Sequence, residues 1–168
     1  MDRHSFDDLM GHVDHAMLVV TTVAGDERGG CLVGFHSQCS IEPSRYAVWI
    51  SRANHTYRIA AFAEVFALHV LGSRDLELAK VFGEKTEDEV DKLSLCDWHA
   101  GPSGVPLLDG CANRIVATRV GVYDPGGDHV CFALEPVDTV WDPASGQLGL
   151  RDVLDLEPGH EADERQRP

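Results

Sequence analysis

The chain has 168 residues, a 43% hydrophobic share and a formal charge of −14, which fits one globular domain with a single buried core. An acidic balance of this size excludes a general nucleic-acid binder, because a phosphate backbone demands a basic face. No apolar run reaches the roughly 18–20 residues needed to span a bilayer, and the opening MDRHSFDDLM has no apolar signal stretch, so a cytoplasmic protein without a membrane partner is expected.

Residues 4–12 (HSFDDLMGH) predict a short helix capped by Ser5, with Phe6, Leu9 and Met10 packing inward. His4, His12 and His15 do not have the spacing of an HExxH pair, so surface or packing roles are expected and no metal site. Residues 16–23 (AMLVVTTV) form a strand rich in β-branched side chains. The polar turn 24–29 (AGDERG) returns the chain antiparallel into the strand 31–35. These runs are almost continuously apolar, as when both faces of a sheet are covered. HSQCSIEPS reads as a polar turn closed by Pro43, followed by the strand 46–51. Asn54 then stands where a helix cap belongs, ahead of a helix over 57–64.

Residues 65–71 predict a strand, and Ser73 or Asp75 caps a helix running to Phe82 that Gly83 ends. The charged stretch 84–92 (EKTEDEVDK) reads as a solvated helix or loop, and 98–106 (WHAGPSGVP) as a loop. Residues 107–122 and 129–141 are the last strands, joined by the turn DPGGD. Their alternation, Ile115, Ala117 and Arg119 against Val116, Thr118 and Val120, is the clearest period of two in the chain. From Glu157 onward no apolar anchor remains, so the domain is placed at 1–156 and a disordered tail at 157–168. The predicted class is mainly β with short helices, an antiparallel Greek-key-like barrel.

Cys31, Cys39, Cys96, Cys111 and Cys131 are scattered, odd in number and never C-x-x-C, which argues for a reducing compartment and against disulfides or zinc. Cys39 reads as a packing residue and His69 as a satisfied core histidine, with Trp49 and Trp141 as core or interface aromatics. No G-x-S-x-G elbow presents a hydrolytic nucleophile. The helix mouth after Ser51 offers free backbone N–H groups, flanked by Arg52 and Arg58 with His55 and Thr56 inside it. That combination points to a phosphorylated ligand.

The same stretch resembles the flavin reductase-like domain family, the FMN-binding split barrel. There "G-x-T-A-S-S-F-x-S-V-S-x-x-P-P" precedes an apolar strand and a Ser/Thr-rich helix start. Gly30, Ser40, Pro43, Ser51 and the segment 54–56 occupy matching places. FALHVL (66–71), AKVFG (79–83) and GDHVCF (127–132) resemble three further family motifs, in order, over most of residues 15–140. The resemblance implies flavin contacts from Leu32, Val33, Gly34, Phe35 and Ser40, and from Ser51, Arg52, Ala53, Asn54, His55 and Thr56. It adds a ring or phosphate contact near Phe82 and Gly83, and places His129 at the nicotinamide end as the catalytic-type residue. It further implies a homodimer that reduces FMN or FAD with NAD(P)H for a partner monooxygenase. Two departures keep alternatives open: residues 32–35 lack the family's side-chain hydroxyls, and the C-terminal "P-L-x-x-x-x-G-x-Y" segment is replaced. One alternative is a carrier of flavin, deazaflavin or heme without turnover, and the other an oxidoreductase acting on its own substrate.

Overall fold

The computed structural model describes residues 3–84 and 90–157. Helix α1 (Arg3–His12) precedes strands β1 (Leu18–Ala24), β2 (Glu27–Val33), β3 (His36–Ser40) and β4 (Arg45–Ser51). Helix α2 (His55–Ala60), strand β5 (Val65–Val70) and helix α3 (Leu76–Glu84) follow. After the short pair β6 (Trp98–Ala100) and β7 (Pro106–Leu108) come the long strands β8 (Asn113–Tyr123) and β9 (His129–Val140).

Seven strands form one antiparallel sheet in the order β2-β1-β5-β8-β9-β4-β3. The outermost strands, β2 and β3, are joined by only Gly34 and Phe35. So short a link can connect opposite margins only if the sheet curls until they meet. The link is tied to β4 by the Trp49 N–H donating to the Phe35 carbonyl at 2.9 Å, one step beyond the β3–β4 pairing. His36 clasps it from the other side, since Nε2–H donates to the Ala16 carbonyl at 2.6 Å. That fixes the tautomer, so Nδ1 accepts from the Tyr46 hydroxyl at 2.7 Å. Burial holds His36 below the ordinary histidine range. The result is a half-closed, mainly β split barrel, as expected.

Leu18, Val20, Val48, Ile50, Phe66, Leu68, Phe132 and Leu134 fill the barrel interior. The opposite face of β1 and its flanks, Met17 and Val19, pack on Ala79 and Phe82 of α3 and on Leu148 and Val153. Both faces of β1 are therefore covered, which explains its unbroken apolar run. His69 is fully buried and satisfied, with Val19 O accepting from Nδ1–H at 3.1 Å and Nε2 accepting from the Leu108 N–H at 3.0 Å.

Several expectations are corrected. Residues 36–40 are an edge strand on β4, not part of a turn, because an exposed margin tolerates polar side chains while the backbone pairs. Hence β2 and β4 are not hairpin partners; β2 pairs with β1 alone, and β4 lies between β9 and β3. Gly83 lies inside α3: a Cβ there would come within 2.9 Å of Leu32 Cδ2, so the glycine serves close approach rather than termination. Lys92 is 2% exposed, its ammonium donating to the carbonyls of Gly30 (3.1 Å) and Phe82 (3.3 Å). The expected 107–122 strand is split between β7 and β8, and 98–106 carries β6. Helix α2 ends early, with Ala61 at its C-cap. Phe6, Leu9 and Met10 of α1 are exposed, as is Cys39, while the exposure of Trp141 removes only the core half of its reading. Residues 85–89 and 158–168, within the predicted solvated stretch and the predicted tail, lie outside the described residues.

Candidate active site

A cleft of about 380 Å³ opens at the barrel seam, within the size range of small-ligand sites. One wall is Leu32, Val33, Gly34 and Phe35, from the end of β2 and its link to β3. Phe82 and Gly83 of α3 face it. Trp49, Ser51, Asn54 and His129 form a polar end, and Leu150, Val153 and Leu156 add an apolar wall from the C-terminal segment.

The backbone of β2 contributes an open edge. The Leu71 N–H donates to Met17 O at 3.1 Å, so the odd-numbered backbone groups of β1 turn toward β5 and the even ones toward β2. By register, Val20 meets Cys31 and Leu18 meets Val33, which leaves the N–H and C=O of Leu32 on the outer edge, where the sheet has no further strand. Gly30 O, two residues back on the same edge, accepts from Lys92.

His129 starts β9 opposite Ser51 in register. Its Nδ1 meets Asp128 Oδ1 at 2.9 Å, and that hydrogen bond, first among the causes, holds the Asp128 carboxyl below its usual range. Asn54 caps α2, its side chain accepting from the Thr56 N–H at 2.9 Å. Nine of the residues singled out from the sequence thus line one cleft: Leu32, Val33, Gly34, Phe35, Ser51, Asn54, Phe82, Gly83 and His129.

The other five are not in its lining. Ser40 ends β3 beside Arg45. Ala53 is buried, and His55 opens α2, half-buried. Thr56 is wholly buried, with no hydrogen-bond partner for Oγ1 among the described residues. The Arg52 guanidinium turns to the loop between β8 and β9, where it meets Asp124 and Gly127. Met17, Trp49, Leu150, Val153 and Leu156 line the cleft without having been singled out. For the last three the available signal is a spaced set of apolar residues, 148, 150, 153 and 156, in an otherwise polar C-terminus.

The family model for the flavin reductase like domain matches residues 10–150, most of the chain. The chain belongs to that family.

Among relatives of this flavin reductase-like protein is the ferric-chelate reductase (NAD(P)H) of Archaeoglobus fulgidus, 24% identical over 127 residues, 75% of each chain. The FMN reductase (NADH) RutF of Klebsiella pneumoniae is 25% identical over 108 residues, 64% of this chain and 65% of RutF. The solved structure of the NADH:FAD oxidoreductase SgcE6 of Streptomyces globisporus superposes with a TM-score of 0.77 at 25% identity, covering 88% of this chain and 86% of that one. SgcE6 has also been solved with NAD and FAD fragments. Among the described residues, no helix is long and apolar enough to cross a membrane, and no group of three or more His, Cys, Asp or Glu is placed to hold a metal.

Proposed function

We propose that the protein is an NAD(P)H-dependent flavin reductase, binding FMN or FAD in the seam cleft and supplying reduced flavin to a partner monooxygenase. The observation that carries this reading is the convergence of the open β2 edge, α3 and His129 on one cleft in a member of this family. Flavin supplies the hydride-accepting chemistry, and the protein supplies binding, orientation and exclusion of water.

The residues present fit that group. Leu32 N–H and C=O offer one donor and one acceptor to a polar ring edge, a contact that needs no side-chain hydroxyl. Phe82, Leu150 and Val153 offer an apolar wall against which a flat ring would be shielded from water. Ser51 and Asn54 stand at the polar end, where the ribityl phosphate would lie, although the N–H groups of Asn54 and Thr56 expected to bind it donate to Ser51 O and the Asn54 side chain. His129, paired with Asp128, would hold the nicotinamide amide at the polar end.

A homodimer is part of this reading: Val120, Val122, Tyr123 and Trp141 give the β8–β9 ribbon an exposed apolar surface suited to a second copy. Five free cysteines support a cytoplasmic location. The apolar wall of Leu150, Val153 and Leu156 favours a second reading, a carrier that encloses flavin, deazaflavin or heme without turnover.

Titration with FMN, FAD, deazaflavin and heme, followed by NADH and NADPH oxidation with excess free flavin, separates these readings. Flavin-dependent oxidation of either nucleotide is the expected result. Binding without oxidation would leave the carrier, and no binding would sink both.

A further inference from the structure

The resemblance places Arg52 beside a flavin phosphate, but the side chain is already engaged elsewhere. Its backbone N–H donates to Asp128 O at 2.8 Å. Nε–H donates to Gly127 O at 3.1 Å, and Nη2 is paired with the Asp124 carboxylate. Its guanidinium carbon also stands 5.8 Å from the centre of the Tyr57 ring. Asp124 in turn accepts from the Gly126 N–H at 2.9 Å, and Gly126 has φ +85°, a tight turn. The fork-shaped side chain therefore binds two of the five residues from Asp124 to Asp128, and the Arg52 backbone binds a third.

The turn itself lies beyond the sheet's pairing: β5 leaves β8 at Thr118, with the Arg119 N–H bonded to Glu64 O, and β4 pairs with β9 only from His129 onward. Residues 122–127 are exposed. At the far end of the turn lies His129, opposite Ser51 and one register step from Arg52.

We infer that Arg52 and Asp124 act together as a positioning pair, clamping the β8–β9 turn onto the mouth of α2 so that the His129 ring is held at the polar end of the cleft, and that Arg52 is not the phosphate ligand. An isolated exposed ion pair is worth little. Here the pair is one part of a three-point clamp on Asp124, Gly127 and Asp128, the last of which precedes a cleft histidine. The kinetic part of the inference rests on the reductase reading; the conformational part does not.

The test uses Arg52→Gln, Asp124→Asn, the double variant and Arg52→Lys in the full chain, with urea midpoints to establish folding. Without any flavin, the imidazole NMR signals of His129 and amide exchange over 124–129 are expected to change alike in Arg52→Gln and Asp124→Asn. With flavin, each is expected to lower kcat/KM for the nicotinamide nucleotide roughly tenfold. The double variant should be no worse, and Arg52→Lys should recover part of the loss through Asp124. The ratio of FMN to riboflavin dissociation constants should not move. An Arg52→Gln variant that loses FMN selectively over riboflavin, while Asp124→Asn does not, would overturn the inference. So would unchanged His129 signals and unchanged exchange in both variants. If those signals change as expected but the unsubstituted protein oxidises neither nucleotide, the clamp stands and the reductase reading falls.

Discussion

Phe35 and His129 stand ring to ring at the cleft, centroids 5.0 Å apart and planes inclined at 58°. Phe35 sits on the link just ahead of β3 and His129 begins β9, and β4, which lies between β3 and β9 in the sheet, brings the two together. Phe35 is 59% exposed, an unfavourable state for an aromatic side chain that a stacked ligand would relieve. Phe35→Ala is expected to raise the flavin dissociation constant about tenfold. Its urea-derived stability should stay within about 0.5 kcal/mol of the parent. Fluorescence titration and denaturation check both; lost stability with unchanged binding would show that the ring serves packing.

Gly30 and Gly83 set the distance between β2 and α3. A Cβ on Gly30 would come within 2.6 Å of Phe82 Cε1 and 3.2 Å of Thr21 Cγ2, both buried. Gly30→Ala is therefore expected to cost about 1–3 kcal/mol of stability. A Cβ on Gly83 meets only the movable tip of Leu32, so Gly83→Ala should displace that tip and weaken flavin binding more than folding. Denaturation and binding curves measured on both variants should diverge in this way.

His69 makes stability depend on pH. Burial, the largest cause, pulls its pKa down to about 4 from the ordinary 6.5, so the native ring stays neutral while the unfolded chain takes up a proton below 6.5. The unfolded state then binds more protons, and stability falls as the pH drops from 6.5 to about 4 and flattens below, by about 3 kcal/mol in all. His36, also held low by burial, acts in the same direction. Urea midpoints between pH 7.5 and 4 should show the slope, and His69→Gln should flatten it while lowering stability at neutral pH. An unchanged slope in that variant would remove His69 as its source.

The cysteines should separate by reactivity. Cys39 is exposed, while Cys31, Cys111 and Cys131 are buried and Cys96 is partly so. Burial, then Asp75, pushes the Cys111 thiol up to about 12, and burial also raises Cys96 and Cys131. A thiol reagent is expected to modify one cysteine quickly in the native protein, and Cys39→Ser should abolish that fast phase.

The parts of the fold legible in the sequence are those where one physical rule dominates. β8 and β9 are legible as strands from their runs of β-branched and aromatic residues, although Val116–Ala117 and Val130–Phe132 are buried in succession rather than alternately, and Asn54 caps α2 because its side chain satisfies the Thr56 N–H. β3 escaped because His36, Ser37 and Gln38 lie on an edge where backbone pairing, not burial, makes the strand. Gly83 reads as a helix end in sequence, since the contact that calls for it, Leu32, is distant along the chain. Lys92 reads as solvated because nothing local reveals that its ammonium reaches the Gly30 carbonyl. In the cleft, the β2 wall, Phe82, Gly83 and His129 were legible through motif order. Leu150, Val153 and Leu156 were not, since their place depends on Gly149 bridging to Ala16 at the other end of the chain.

The two-residue junction between β2 and β3 also orders assembly. The hairpins β1–β2 and β3–β4 can form early from neighbouring residues, but they reach their final places only after β5, β8 and β9 have been laid between them. During synthesis an emerging N-terminal half would hold both hairpins and no closed seam, so cofactor capture must wait for the last strand. A fragment ending before His129 should therefore be blind to flavin however much of its β structure survives.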